Sequence, residues 1–379
     1  MNKNRLFYID NLRLFIIVLV VIQHIAMSYS GIGDWYFKDP VEIGFIQVVF
    51  FLYYLSFTQG YFMGIMFLIA GYFTPVSYDK KGFSKFLKER LIRLGIPTLI
   101  HMLILHPILM LMVWTALGIK DMNFFIYFLK NIFYFKFISF SGPLWFTFAL
   151  LVFSALYALV RKFIVIKPSV NESDFPANLK IFMLILVISL SSFLVRIVLP
   201  IGTKIINMRL CYFSQYIILF IAGIKCRRNN WFEKLNYSAG KRWFISALTI
   251  GPISWMLIMQ LGGALYNDYE IFNGGITWQS AAFSIWESFV AISMSIGLIA
   301  VFREKFNKQN KLVKIMTDNA FSVYVFHTPV MTALSILFSN AAIIPIVKFV
   351  LLLFITVPLC FIFTHFTVRK IPILKKLLV

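Results

Sequence analysis

Apolar residues in this chain come in long runs, near 12–30, 45–75, 95–117, 143–163, 179–199, 209–225, 243–263, 281–302, 318–338 and 342–366. An α-helix needs about 17–25 such residues to cross the hydrocarbon of a bilayer. The polar stretches between the runs are short. This pattern predicts an all-α, polytopic integral membrane bundle of about ten transmembrane helices. The 45–75 run exceeds one upright crossing. Dividing it in two would reverse the side of every later loop, so it reads as one tilted helix with an interfacial start. Gly60, Gly64 and Gly71 line that helix as a small-residue stripe suited to close helix packing.

The charges agree with that count. With the N-terminus in the cytoplasm, the inner segments collect 27 of the 36 Lys and Arg residues, among them Lys3, Arg5, Lys167 and the cluster at 76–95. Basic residues favour cytoplasmic loops, so both termini are expected inside. The outer stretch 121–140 differs, with Phe124, Phe125, Tyr127, Phe128, Phe133, Tyr134, Phe135 and Phe137 around Lys130 and Lys136. It reads as a segment lying in the outer interface. No loop is long enough for a separate folded unit, so residues 1–379 are expected to form a single membrane domain. The first apolar run lacks a convincing small-residue cleavage site and carries Arg13 and His24, so a retained helix is expected.

Composition removes other classes. The chain is 60% hydrophobic and 13% charged, far from the balance of soluble domains, and 43 phenylalanines suit lipid-facing surfaces. A net charge of +21 would suggest nucleic acid, but its basic residues sit between apolar runs, so topology explains them and no nucleic-acid partner is expected. Cys211, Cys226 and Cys360 show neither metal-type spacing nor even pairing. Nucleotide-binding loops, nucleophile elbows and metal clusters are missing from the sequence, and no metal is expected.

Ionisable groups inside spans are costly and mark function. Arg13 and His24 are eleven residues apart, three turns plus about 20°, on one face and about 16 Å apart along the axis. Asp10 can cap that helix and neutralise Arg13. Histidine is the usual general base near neutral pH. Arg90 and Arg93, one turn apart in the 76–95 cluster, present two guanidinium forks suited to phosphate. Glu287 sits inside the eighth run and needs a partner, either a histidine to orient or an arginine to pair. His327 precedes Pro329, whose missing N–H frees a carbonyl that can line a cavity. His101 and His106, about 140° apart on a regular helix, read as incidental. Arg196 and Arg209 flank an outer turn.

These residues resemble membrane acyltransferase family 3, in particular its glucan-biosynthesis and O-acetyltransferase branch. The likeness rests on Tyr8-Ile9-Asp10-Asn11-Leu12-Arg13 with His24, Gly71-Tyr72-Phe73 followed by Arg90-Leu91-Ile92-Arg93, Gly142-Pro143-Leu144-Trp145-Phe146, Trp286-Glu287, and Asn319 through His327, in that order. Such a resemblance implies transfer of an acyl group, acetyl or succinyl, from acyl-CoA to a hydroxyl of a carbohydrate or lipid-linked glycan. Arg13 and His24 match residues required in the family, and Arg90 and Arg93 match its donor-side unit. Some members carry a further extracytoplasmic hydrolase-like domain; none is expected here, so a partner protein could complete the transfer. The reading that follows has acyl-CoA docking its phosphates on Arg90 and Arg93, its arm passing Arg13, and His24 acting as base or acyl carrier, with Glu287 and His327 orienting the site. No permanently bound cofactor is expected, and the setting would be the membrane of a bacterial cell. A non-enzymatic glycan exporter or flippase is the alternative, and a scaffold for a glycan synthase a third; neither needs a coenzyme A site.

Overall fold

A computed structural model describes residues 5–119, 123–164, 173–264 and 269–378. Lys3, Lys167 and the first two residues of the 121–140 segment lie outside these. In chain order the α-helices are α1 (Phe7–Ser30), α2 (Phe45–Arg90), α3 (Ile96–Ile100), α4 (His106–Ala116), α5 (Phe124–Phe133), α6 (Trp145–Phe163), α7 (Asn178–Val198), α8 (Phe213–Arg228), α9 (Trp231–Lys234), α10 (Tyr237–Leu261), α11 (Trp278–Lys305), α12 (Lys311–Leu337), α13 (Pro345–Phe366) and α14 (Pro372–Leu378). Among the described residues there is no strand, only an isolated bridge between Ile205 and Met208.

The protein is an all-α polytopic membrane bundle. Nine helices of the described residues are long and apolar enough to cross a membrane. One of them is the helical stretch Phe45–Ala116, 72 residues long. At about 1.5 Å per residue it runs to about 108 Å, more than three times the hydrocarbon thickness. It therefore holds two of the ten expected runs. Gly82 breaks it, with φ 71° and ψ 177°, inside the basic cluster. Up to that glycine α2 is unbroken, as the single tilted span requires. Two π-turns, Leu91–Gly95 and His101–Leu105, separate α2, α3 and α4.

The chain falls into two compact units. The first comprises Met1–Arg13, Ser56–Phe86 and Ser154–Asn310. Its helices meet through glycines: a Cβ on Gly71 would overlap the Phe220 carbonyl, and one on Gly223 the Leu68 carbonyl. Such backbone-to-backbone approach maximises van der Waals contact where lipid supplies no hydrophobic drive. Gly240 against Ala300 and Gly297 against Phe244 join α10 to α11 in the same way. The lipid-facing side shows on α7, where Leu179, Leu186, Leu190 and Val198 are exposed while Ile181, Ile185, Ser189 and Ser192 are buried.

The second unit comprises Leu14–Leu55, Leu87–Phe153 and Lys311–Val379. Here the Thr98 and Thr147 hydroxyls share a hydrogen bond of 2.8 Å, and the Tyr324 hydroxyl donates to the Pro143 carbonyl. Lys348 of α13 is wholly buried and pairs at 2.8 Å with Asp39, in the loop after α1; its ammonium also donates to the Ser339 carbonyl. A buried ammonium is tolerable only with such partners. Helix α5 has its Asn123 cap accepting from the Ile126 N–H, exposes Phe125, Leu129 and Phe133, and lays Phe124 and Tyr127 against Trp114. Its exposed phenylalanine face suits the aromatic, interface-lying segment expected from the sequence.

Candidate active site

Helix α1 carries the first group. It is 24 residues long with Asp10 in its first turn. Arg13 stands 3.7 Å from Asp10, which also takes Arg5 at 2.6 Å, and its guanidinium lies 4.7 Å over the Phe73 ring. These residues belong to the first unit; His24, further along the helix, belongs to the second.

His24 meets His327, with its Nδ1 2.9 Å from His327 Nε2. His327 Nδ1 lies 2.9 Å from the carbonyl of Tyr324, one turn back on α12. This chain fixes the protons. A carbonyl can only accept, so His327 Nδ1 carries hydrogen and, in the neutral ring, its Nε2 is bare. That bare nitrogen accepts from His24 Nδ1–H. His24 Nε2 is left with the lone pair that can take a proton. Accessibility divides the pair in the same sense: His327 is completely buried, whereas His24 is partly exposed.

An indole covers His24. Trp35 stacks on its ring with centroids 4.0 Å apart and planes 14° from parallel. The sequence turns the chain back to allow this. Gly31 and Gly33 follow α1 with φ of +67° and +79°, the left-handed conformation that ends helices at little cost only for glycine. Trp35 in turn meets Tyr36 edge-on at 5.3 Å. The Tyr36 hydroxyl lies 3.3 Å from His101 Nε2 and 3.1 Å from His106 Nδ1, and burial pushes its phenol pKa up.

Regular helix geometry sets His101 and His106 apart, yet both reach Tyr36. The reason is the π-turn between them, in which the His106 N–H donates to the His101 carbonyl. An i→i+5 bond winds the backbone more slowly and returns residue i+5 toward the side of residue i. Trp35, Tyr36 and this pair escaped the reading of the sequence. The available signal was local: each histidine stands near a proline, Pro97 or Pro107, inside an apolar run.

Glu287 takes an arginine. Its Oε2 lies 2.5 Å from Arg196 Nη2, Arg196 Nη1 donates to Ser284 at 3.1 Å, and both charged side chains are almost fully buried in the first unit. Tyr212 and Phe283 flank the guanidinium at 5.4 and 5.6 Å. The Glu287 carboxylate is thus held by a guanidinium of its own unit, which answers the choice left open between a histidine and an arginine. Arg90 ends α2 half-buried, and Arg93 lies exposed inside the following π-turn. Among the described residues no group of three or more His, Cys, Asp or Glu side chains gathers as a metal site would require.

What the histidine pair can do chemically is accept a proton at His24 Nε2 and share the resulting charge through Nδ1–H with His327. That is general-base chemistry of the kind acyl transfer uses. No curated protein and no solved structure matches the chain. Residues 6–365 match a family model described as an acyltransferase domain, nearly the whole sequence. The chain belongs to membrane acyltransferase family 3 and is an integral membrane O-acyltransferase.

Proposed function

We propose that the protein moves an acetyl or succinyl group from cytoplasmic acyl-CoA to a hydroxyl of a cell-surface or lipid-linked carbohydrate, in the membrane of a bacterial cell with both termini in the cytoplasm. The observation that carries this reading is the proton chain from the Tyr324 carbonyl through His327 to the bare Nε2 of a partly exposed His24. His24 takes the proton of the acceptor hydroxyl as its oxygen attacks the thioester carbonyl. Collapse of the tetrahedral intermediate breaks the carbon–sulfur bond and forms the ester. His24 then returns the proton to the departing thiolate. His327 positions His24 and spreads the imidazolium charge, the service a carboxylate performs in hydrolase triads. Arg90 and Arg93 bind the phosphates of the donor, which the exposed guanidinium of Arg93 supports. Arg13 acts on the donor side. Glu287, held by Arg196, serves the architecture of its own unit.

Purified protein in liposomes given labelled acetyl-CoA tests the reading. Wild-type protein should release acetate to water and form ester with an added alcohol. His24→Ala should lower both by about 10²–10⁴-fold, the range of a lost general base, with thermal unfolding unchanged. A wild-type protein that neither binds nor turns over acyl-CoA would point to a glycan exporter instead.

A further inference from the structure

The first unit holds an apolar cavity of about 360 Å³ that the proposed chemistry leaves unused. Helices α7, α8, α9 and α11 line it. Its wall is almost wholly aliphatic, with Ile181 and Leu184 of α7, Ile218 and Ala222 of α8, and Ile292 and Ile299 of α11. The last two are seven residues apart, so the cavity runs along about 10 Å of helix. Ile292 and Ile299 are buried, whereas Ile221 on the border is exposed, so the cavity opens at the surface of the unit.

One end of this apolar space is basic. Lys180, near the start of α7, and Lys225, in the last turn of α8, border the cavity, and both are exposed. Among the described residues neither ammonium has a carboxylate partner. Trp231 stands beside them, its indole N–H donating to the Ser173 hydroxyl at 3.2 Å, and the Lys234 ammonium donates to the Ser173 carbonyl at 3.0 Å. These bonds fasten the segment before α7, whose Phe175 and Pro176 close one side of the cavity. Lysine and tryptophan at the ends of spans mark the level of the lipid headgroups. Empty apolar space forfeits dispersion contacts, and water finds too few partners in it. A hydrocarbon chain fits both the wall and the surroundings. A nucleotide would bring a base and ribose that need hydrogen bonds, which an aliphatic wall does not supply.

We propose that this cavity binds a phospholipid of net negative headgroup from the leaflet beside the basic loops, with one acyl chain between α7, α8 and α11 and the phosphate on Lys180 and Lys225. A choline headgroup is disfavoured, because it would bring a further cation beside two ammonium groups. Lipid is held there whether or not the chain turns over acyl-CoA.

Native mass spectrometry tests this on full-length protein released from detergent micelles that hold equal amounts of phosphatidylglycerol and phosphatidylcholine. Wild-type protein should carry one phosphatidylglycerol, preferred over phosphatidylcholine by at least about tenfold, the scale of two interfacial lysines. Lys180→Gln with Lys225→Gln should abolish that preference. Lys375→Gln with Lys376→Gln, a matched pair of exposed lysines on α14, should keep it. Ala222→Phe puts a ring into the cavity and should lower occupancy by either lipid; if it folds poorly, the exposed lysine pair still decides. Glycerol 3-phosphate should displace no lipid, since it has no chain to bury. Equal retention of the two lipids by wild-type protein, equal losses in the two lysine pairs, or full occupancy in a folded Ala222→Phe protein overturns the site. Displacement by glycerol 3-phosphate would reduce it to a phosphate contact, and preference for palmitoyl-CoA over phosphatidylglycerol would give it to an acyl donor; either result overturns it as well.

Discussion

At the residue scale the site is a question of where two protons sit. The Tyr324 carbonyl holds one on His327 Nδ1, and that forces the second onto His24 Nδ1. Replacing His327 with leucine would keep the space apolar and filled while releasing the His24 tautomer. His327→Leu should therefore cut kcat by about 10²–10⁴-fold, as loss of an orienting partner does in triads. The KM for acetyl-CoA should stay within about threefold, because His327 has no role in ground-state binding. Steady-state kinetics check this, and an unchanged kcat would remove His327 from the mechanism. The residues that carry the pair were visible in the chain, since a histidine within an apolar run is costly enough to draw notice. Which histidine meets which was not visible. Spans far apart in sequence converge here, and hydropathy carries no information about which faces touch. For the same reason Glu287 had two open partners, and only the structure shows that Arg196 holds it.

At the scale of elements, two departures from ideal helix geometry matter most. The π-turn at His101–Leu105 re-aims His106, and Gly82 interrupts a 72-residue helical stretch. A rule of 100° per residue cannot foresee the first, because the extra residue in the turn leaves no mark on composition. The ten runs themselves were readable because a bilayer demands length, and length survives local irregularity. Helix packing was readable in part. The stripe Gly60, Gly64 and Gly71 announced a close approach on α2, and Gly71 makes it against the α8 backbone. Gly71→Val should thus push α2 and α8 apart and lower stability by about 1–3 kcal/mol, as overpacking does. Gly44→Ala is the control, since a Cβ there meets nothing within 4 Å. Thermal unfolding in detergent should show a lowered midpoint for the first and none for the second. Equal midpoints would mean that the glycine stripe is incidental. The buried Arg196–Glu287 pair belongs to this scale as well. Breaking it by removing one partner would leave an uncompensated charge worth about 3–5 kcal/mol.

For the whole molecule, the basic loops are the ordering principle. In the proposed topology they would orient the spans and supply the field for an anionic donor, and these two roles make different predictions. Charge that only sets topology is interchangeable between loops; a phosphate site is not. Neutralising Arg90 and Arg93 together should weaken coenzyme A binding by about tenfold or more, the loss of two charge-assisted contacts. Neutralising Lys311 and Lys314, at the start of α12, should change it by less than about twofold. Titration of coenzyme A against both variants decides, and equal losses would assign the effect to general positive charge. Family membership was legible at this scale because short motifs recur in a fixed order over nearly the whole chain.

The ion pair of Lys348 with Asp39 joins positions 309 residues apart. Its consequence concerns biogenesis. Trp35 and Tyr36 sit just before Asp39, so the hood over His24 is fastened by a lysine that the ribosome makes 309 residues later. While the earlier helices enter the membrane, Asp39 has no ammonium to receive it. Insertion of α13 supplies that clasp, and the hood over His24 is fastened only once that helix is in place.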